Sequence, residues 1–188
     1  MKPARMKIMK KSERGFSLIE LLIVLAIILV IAAIAIPNLM RSRIAANEAS
    51  AVGSVRTIVT GSLSYSSSYG NGFAPDLGTL GGPAGLTTAD CNNALFIDSV
   101  LSNNGVGLKS QKSGYSFVYN PGQPVAIAPA GCKLPGVISF ELTASPRAPG
   151  STGQAVFCSD ESGVVRSDPS GSANPTDSAS CRKLNPLQ

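Results

Sequence analysis

The sequence predicts an α+β fold: one long N-terminal helix whose first half crosses a membrane, packed through its second half on a small antiparallel β-sheet of about four strands. Three observations predict it. From Leu21 to Ile36, sixteen consecutive residues are apolar. Beyond Pro37 the apolar residues thin into a helical period. From residue 114 onward, short β-branched and aromatic stretches are separated by turn residues.

Counted from Phe16, the apolar segment is twenty-one residues long, with Ser17 and Glu20 as its polar members. At ~1.5 Å per residue such a helix spans ~30 Å, one hydrocarbon core, so residues 16–37 are predicted to cross a bilayer once. Pro37 lacks a backbone N–H and crowds the preceding turn, which predicts a kink there. Residues 38–66 continue as an amphipathic helix: Ile44, Val52, Val55, Val59 and Leu63 share one face, while Arg41, Arg43, Glu48 and Arg56 occupy others. Gly53, Gly61 and the serines from Ser62 to Ser68 weaken helix propensity and predict an end near Ser64–Tyr69. Residues 67–113, rich in Gly, Asn, Pro and Thr, read as a connecting region with a short helix over Asn92–Leu101. Residues 114–168 read as an antiparallel meander built from GYSFVYN (114–120), GVISFELTA (136–144), QAVFCS (154–159) and GVVRSD (163–168). The Ser-, Pro- and Asn-rich residues 169–188 form a tail that stays mobile unless Cys181 ties it down.

The net charge of +5 is localised. Residues 1–15 hold six basic side chains and one acid, and from Phe16 onward ten basic residues face ten acidic ones. The positive charge therefore marks the cytoplasmic end of a membrane segment, and the sequence gives no direct evidence for nucleic-acid binding. The absence of histidine excludes histidine-based acid–base catalysis, Ser-His and Cys-His nucleophile pairs and histidine-ligated metals. Gly78, Gly81, Gly82 and Gly85 form no phosphate-binding pattern, and the ten aromatic residues are scattered as core residues are. No set of reactive residues converges, so the chain is not expected to be an enzyme, and no cofactor is implied. Cys91, Cys132, Cys158 and Cys181 contain no closely spaced pair and lie on the side of the membrane expected to be oxidising, which predicts two disulfides rather than a zinc site. Four cysteines allow three connectivities.

The anomaly is Glu20. A carboxylate in a membrane segment costs at least ~2.5 kcal/mol at the bilayer centre and is by default functional. A cleavable signal peptide ending at Ala33-Ile34-Ala35, or a plain single-pass anchor, leaves it unexplained. The junction Arg14-Gly15-Phe16-Ser17-Leu18-Ile19-Glu20 explains it. It resembles the processing site of type IV prepilins and type II secretion pseudopilins: a basic leader ending in glycine, then phenylalanine, then glutamate as the fifth residue after the cut. The apolar helix and Pro37 follow in the family's order.

The resemblance implies that a prepilin peptidase cleaves the cytoplasmic leader, residues 1–15, at Gly15–Phe16 and methylates the new amino group, giving N-methylphenylalanine at Phe16. It implies a precursor in the bacterial inner membrane with its C-terminal part in the periplasm, handed by an inner-membrane assembly machinery from lipid into a helical homo-oligomeric filament. The amine that cutting creates on Phe16 can then meet the Glu20 carboxylate of a neighbouring subunit, a buried pair that sets register more than raw stability. The product is a type IV pilus subunit serving adhesion, twitching motility or DNA uptake, with a type II secretion pseudopilin as the alternative. The pairing Cys91–Cys132 with Cys158–Cys181 is favoured, the second bridge stapling the C-terminal loop to a strand edge as in many type IV pilins. Asp160, Glu161 and Asp168 are candidate calcium ligands by the same resemblance, although they lack EF-hand spacing. Met6 and Met9 are in frame, and a start at Met9 leaves the shorter leader MKKSERG.

Overall fold

The structure is a computed structural model that describes residues 15–187; the first fourteen residues of the leader, with its alternative start positions, lie outside the described residues. The chain divides into two compact units, residues 1–39 and 40–188. Helix α1 (Leu18–Tyr69) is continuous and contains Pro37. In the first unit, the side chains of its apolar stretch are exposed along its length.

The second unit is built on the C-terminal half of α1. A short helix α2 (Leu77–Gly81) follows, started by Asp76, whose carboxylate accepts from the Thr79 N–H at 2.6 Å. Then come strands β1 (Lys109–Lys112), β2 (Tyr115–Pro121), β3 (Phe140–Pro146), β4 (Val156–Asp160) and β5 (Arg166–Asp168), a one-turn helix α3 (Ser178–Cys181) and strand β6 (Asn185–Pro186). The strands lie in chain order in one sheet, each antiparallel to the next.

The sheet has six strands, not the four expected. The two additional strands are its edges, β1 and β6. Their sequences, KSQK and NP, lack the β-branched and aromatic residues that mark strands. An edge strand needs backbone partners on one side only, and lysine and proline are typical of exposed edges. The helix expected over Asn92–Leu101 is absent. That segment forms turns, with Leu95 in the left-handed region at φ 57° and the Asp98 carboxylate accepting from the N–H groups of Val100 and Leu101 at 3.0 and 2.9 Å. Asp98 thus makes a local Asx turn that competes with helix.

The core joins Ala51, Val55, Ile58, Val59 and Tyr65 of α1 to Tyr115, Phe117, Tyr119, Leu142, Ala144 and Phe157 of the sheet and Leu77 and Leu80 of α2. The buried stripe of α1 is rotated from the expected one: Val55 and Val59 are buried, but Leu63 is exposed and Ser62 is buried. Small residues permit this, since a methyl group added at Gly61 would come within 3.3 Å of both Phe96 and Ile97. Tyr119 is fully buried, stacks on Phe140 at 5.2 Å and donates its hydroxyl to the Ala74 carbonyl at 2.8 Å.

Because strand side chains alternate, Glu141, Thr143, Cys158 and Asp160 lie on the sheet face opposite the core residues Leu142 and Phe157. The C-terminal segment crosses this second face. Cys158 is bridged to Cys181 and Cys91 to Cys132. Ser178 Oγ donates to the Phe140 carbonyl at 3.3 Å, and Arg182 pairs with Asp160 at 2.5 Å and Glu161 at 2.7 Å. The residues expected to form a tail therefore form a strap with its own helix and strand.

Candidate functional site

The junction from Gly15 to Glu20 coincides with the start of α1. Gly15, Phe16 and Ser17 precede the helix, and every residue from Gly15 to Glu20 is exposed. Glu20 lies in the first turn, and its carboxylate reaches back to accept from the Ser17 backbone N–H at 3.0 Å. This is the glutamate half of a capping box, and a negative charge there also complements the helix dipole. Glu20 thus has a local partner in its own chain. The Phe16 nitrogen belongs to the Gly15–Phe16 peptide bond, so the chain as described contains no amine at that position to pair with Glu20.

Among the described residues, none gives Gly15 a steric reason to be glycine. A methyl group added there would meet no atom within 4 Å, and its backbone is outside the left-handed region. Beyond it, α1 is long and apolar enough to cross a membrane, and none of its most apolar window is buried.

Residues 10–36 match the family model of the prokaryotic N-terminal methylation motif. The chain carries that motif. The match supports the type IV pilin and pseudopilin family, and the apolar helix continuing into an α1-on-sheet second unit is the arrangement of that family. The motif fits a membrane-anchored precursor and a structural subunit, and it is common to pili and to type II secretion pseudopili. No curated protein and no solved structure matches the chain.

Elsewhere in the chain, the candidate calcium ligands are already occupied. Asp160 is fully buried. Burial pushes its carboxyl up, but hydrogen bonds from Ser162 and Arg182 outweigh that and hold it below the usual range. Glu161 meets Arg182 and accepts from Ser178 Oγ at 3.1 Å. Asp168 accepts from Ser170 Oγ, from the N–H groups of Ala173 and Ser170 and from Ser172 Oγ, which lower it to about 2. Among the described residues no group of three or more metal-ligating side chains converges. A cavity of about 540 Å³ lined by Ser99, Asn103, Lys109, Gln111 and Ser116 offers hydroxyl, amide and ammonium groups but no carboxylate to act as a base.

One notable residue was not legible in sequence. Glu141 is 1% exposed, with Asn120 Nδ2 donating to its Oε2 at 2.6 Å and Thr143 Oγ1 lying 2.5 Å from its Oε1. Burial raises its pKa, more than the Thr143 and Asn120 contacts lower it, and Asp177 and Asp160 raise it further. Alternation alone puts Glu141 on the solvent side of a strand. Only the strap, which is far away in sequence, buries it.

Proposed function

We propose that this chain is the structural subunit of a type IV pilus. A prepilin peptidase cuts between Gly15 and Phe16 and methylates Phe16, the subunit waits in the inner membrane, and assembly packs the apolar halves of α1 into a filament core. Within that core, Glu20 of one subunit pairs with the Phe16 amine of another.

The observation that carries this reading is the methylation motif on a helix whose most apolar window has none of its residues buried. A run of exposed apolar side chains requires lipid or neighbouring helices, and the motif supplies the route from one to the other. The freedom of Gly15 supports the peptidase assignment: its own fold tolerates a side chain there, so the demand for glycine is external. Among filament types, the two disulfides favour the pilus over the pseudopilus.

Mass measurement of the mature N-terminus tests the processing: the expected product starts at N-methylated Phe16, and a start at Met1 or at Ile36 overturns the reading. Peptide mapping of sheared surface fibres tests the filament type. This chain as a fibre component supports the pilus, and its confinement to the cell envelope of cells that export folded proteins supports the pseudopilus.

A further inference from the structure

We propose that Glu141 is a proton-binding site: in the folded chain its carboxyl is protonated, and that proton latches the C-terminal strap onto the sheet.

Thr143 Oγ1 lies 2.5 Å from Glu141 Oε1 and 3.0 Å from the carbonyl oxygen of Pro175 in the strap. An ionised carboxylate and a carbonyl are both pure acceptors, and a threonine hydroxyl carries one hydrogen. With Glu141 ionised, Thr143 donates to the carboxylate or to Pro175, and one buried acceptor goes without. With Glu141 protonated, Oε1–H donates to Thr143 Oγ1, Thr143 donates to Pro175, and Asn120 Nδ2 donates to Oε2. A single proton completes a relay from β2 through β3 into the strap.

The surrounding charges agree. From β4, Asp160 stands directly across from Glu141 in the sheet register, and like charges at such a pair repel. From the strap, Asp177 at the start of α3 adds a second negative charge. From β2 the facing group is the uncharged Asn120, and from β3 itself it is Thr143. The cation in this region, Arg182, is engaged by Asp160 and Glu161. Glu141 is therefore buried, faced by two acids and without a cation of its own, the conditions under which a carboxyl keeps its proton.

The linkage has a definite sign. A carboxyl raised in the folded state stabilises strap docking fully below the ordinary carboxylate range, and that stabilisation is lost as pH rises through the raised value. The Asp160–Arg182 pair has the opposite sense: Asp160 is held low, so its contribution is lost as pH falls through that lower value. Strap docking then has an acid limit set by Asp160 and an alkaline limit set by Glu141.

The test is hydrogen exchange of the strap amides over residues 172–182 in the full mature chain in detergent, across pH and corrected for intrinsic exchange. In the window above the ordinary carboxylate range, the opening constant of the wild type is expected to rise by up to tenfold per pH unit, the slope of one released proton. The variant E141Q keeps a neutral donor at the same place and is expected to retain docking but lose that slope. Infrared difference spectra of the wild type and E141Q report the protonated carboxyl independently of strap stability. A wild-type slope with a Glu141 carboxyl band persisting above the ordinary range supports the proposal. A Glu141 that titrates in the ordinary range, or a slope that survives in E141Q, overturns it.

Discussion

Replacing Cys158 and Cys181 together by alanine should undock the C-terminal strap while leaving the sheet and α1 in place. The bridge closes a loop with a sequence separation of 23, for which the chain-entropy relation gives roughly 3.4 kcal/mol at 25 °C. The Cys91–Cys132 bridge, with a separation of 41, gives roughly 3.9 kcal/mol by the same relation. Alanine is preferable to serine because both Cys158 and Cys181 are fully buried, and a serine hydroxyl there lacks a partner. The two double variants should therefore lose similar global stability. At about 2–4 °C per kcal/mol for a chain of this size, a fall in Tm of roughly 7–14 °C is expected for the strap bridge. Their local consequences differ. Without the Cys158–Cys181 bridge the strap keeps the Arg182 pairs and the Ser178 and Pro175 contacts, of which the Arg182 side chain is half exposed and weakly worth its geometry. Limited proteolysis of the mature chain in detergent, mapped by mass spectrometry, should cut first within residues 169–184 in the strap variant and within residues 92–131 in the other. A strap that stays as protected as in the wild type after the bridge is removed would refute the view that the disulfide is needed in addition to these polar contacts to hold it.

Three further outcomes follow from the same structure. Gly15→Ala meets no steric obstacle in the chain, so the variant should insert normally yet accumulate unprocessed; normal yields of a Phe16 N-terminus by mass spectrometry would remove the peptidase assignment. Glu20→Ala should be cleaved like the wild type but strand the Phe16 amine of its neighbour, at a cost on the order of 3–5 kcal/mol per contact, which exceeds a hundredfold in assembly equilibrium; wild-type fibre density by electron microscopy would refute the pairing. Ile58→Ala removes a fully buried side chain from the contact of α1 with the sheet and should cost about 2–5 kcal/mol in thermal unfolding without affecting membrane insertion; a loss below about 1 kcal/mol would mean the core tolerates collapse at that site.

What the sequence revealed and what it hid divide along physical lines. The apolar stretch and the junction were readable because their signals are local: a run of apolar side chains and a charge inside it need no knowledge of the rest of the chain. The central strands were readable for the same reason, since Tyr115, Phe117 and Tyr119 alternate with exposed or half-exposed residues along β2. The edges β1 and β6 were not, because pairing on one side demands nothing of KSQK or NP. The buried stripe of α1 was misjudged wherever a small residue does the packing, as at Ser62 and Gly61, because counting large apolar residues assigns weight by size rather than by proximity. Glu141 was hidden most completely. Its burial depends on Pro175 and its neighbours returning over the sheet, a contact with no local signature.

Glu20 and Glu141 pose the same electrostatic problem and meet it differently. A carboxylate removed from water must find a cation, find donors or take a proton. Glu20 lies on an uncovered helix with a single local donor, the Ser17 amide, so nothing in its own chain prevents a neighbour's amine from replacing that donor. The replacement partner proposed for it, the Phe16 amine, would exist only after cleavage. Glu141 is enclosed by its own chain, opposite Asp160 and near Asp177, with Arg182 already engaged. Among the described residues no cation faces it, so the proton is the partner that fits. An exchangeable donor suits the partner change proposed for Glu20, and an enclosed proton suits a residue that stays docked. On this argument, substituting glutamine should be tolerated at position 141, where neutrality is what the fold needs, and should impair assembly at position 20, where the charge itself is the binding determinant.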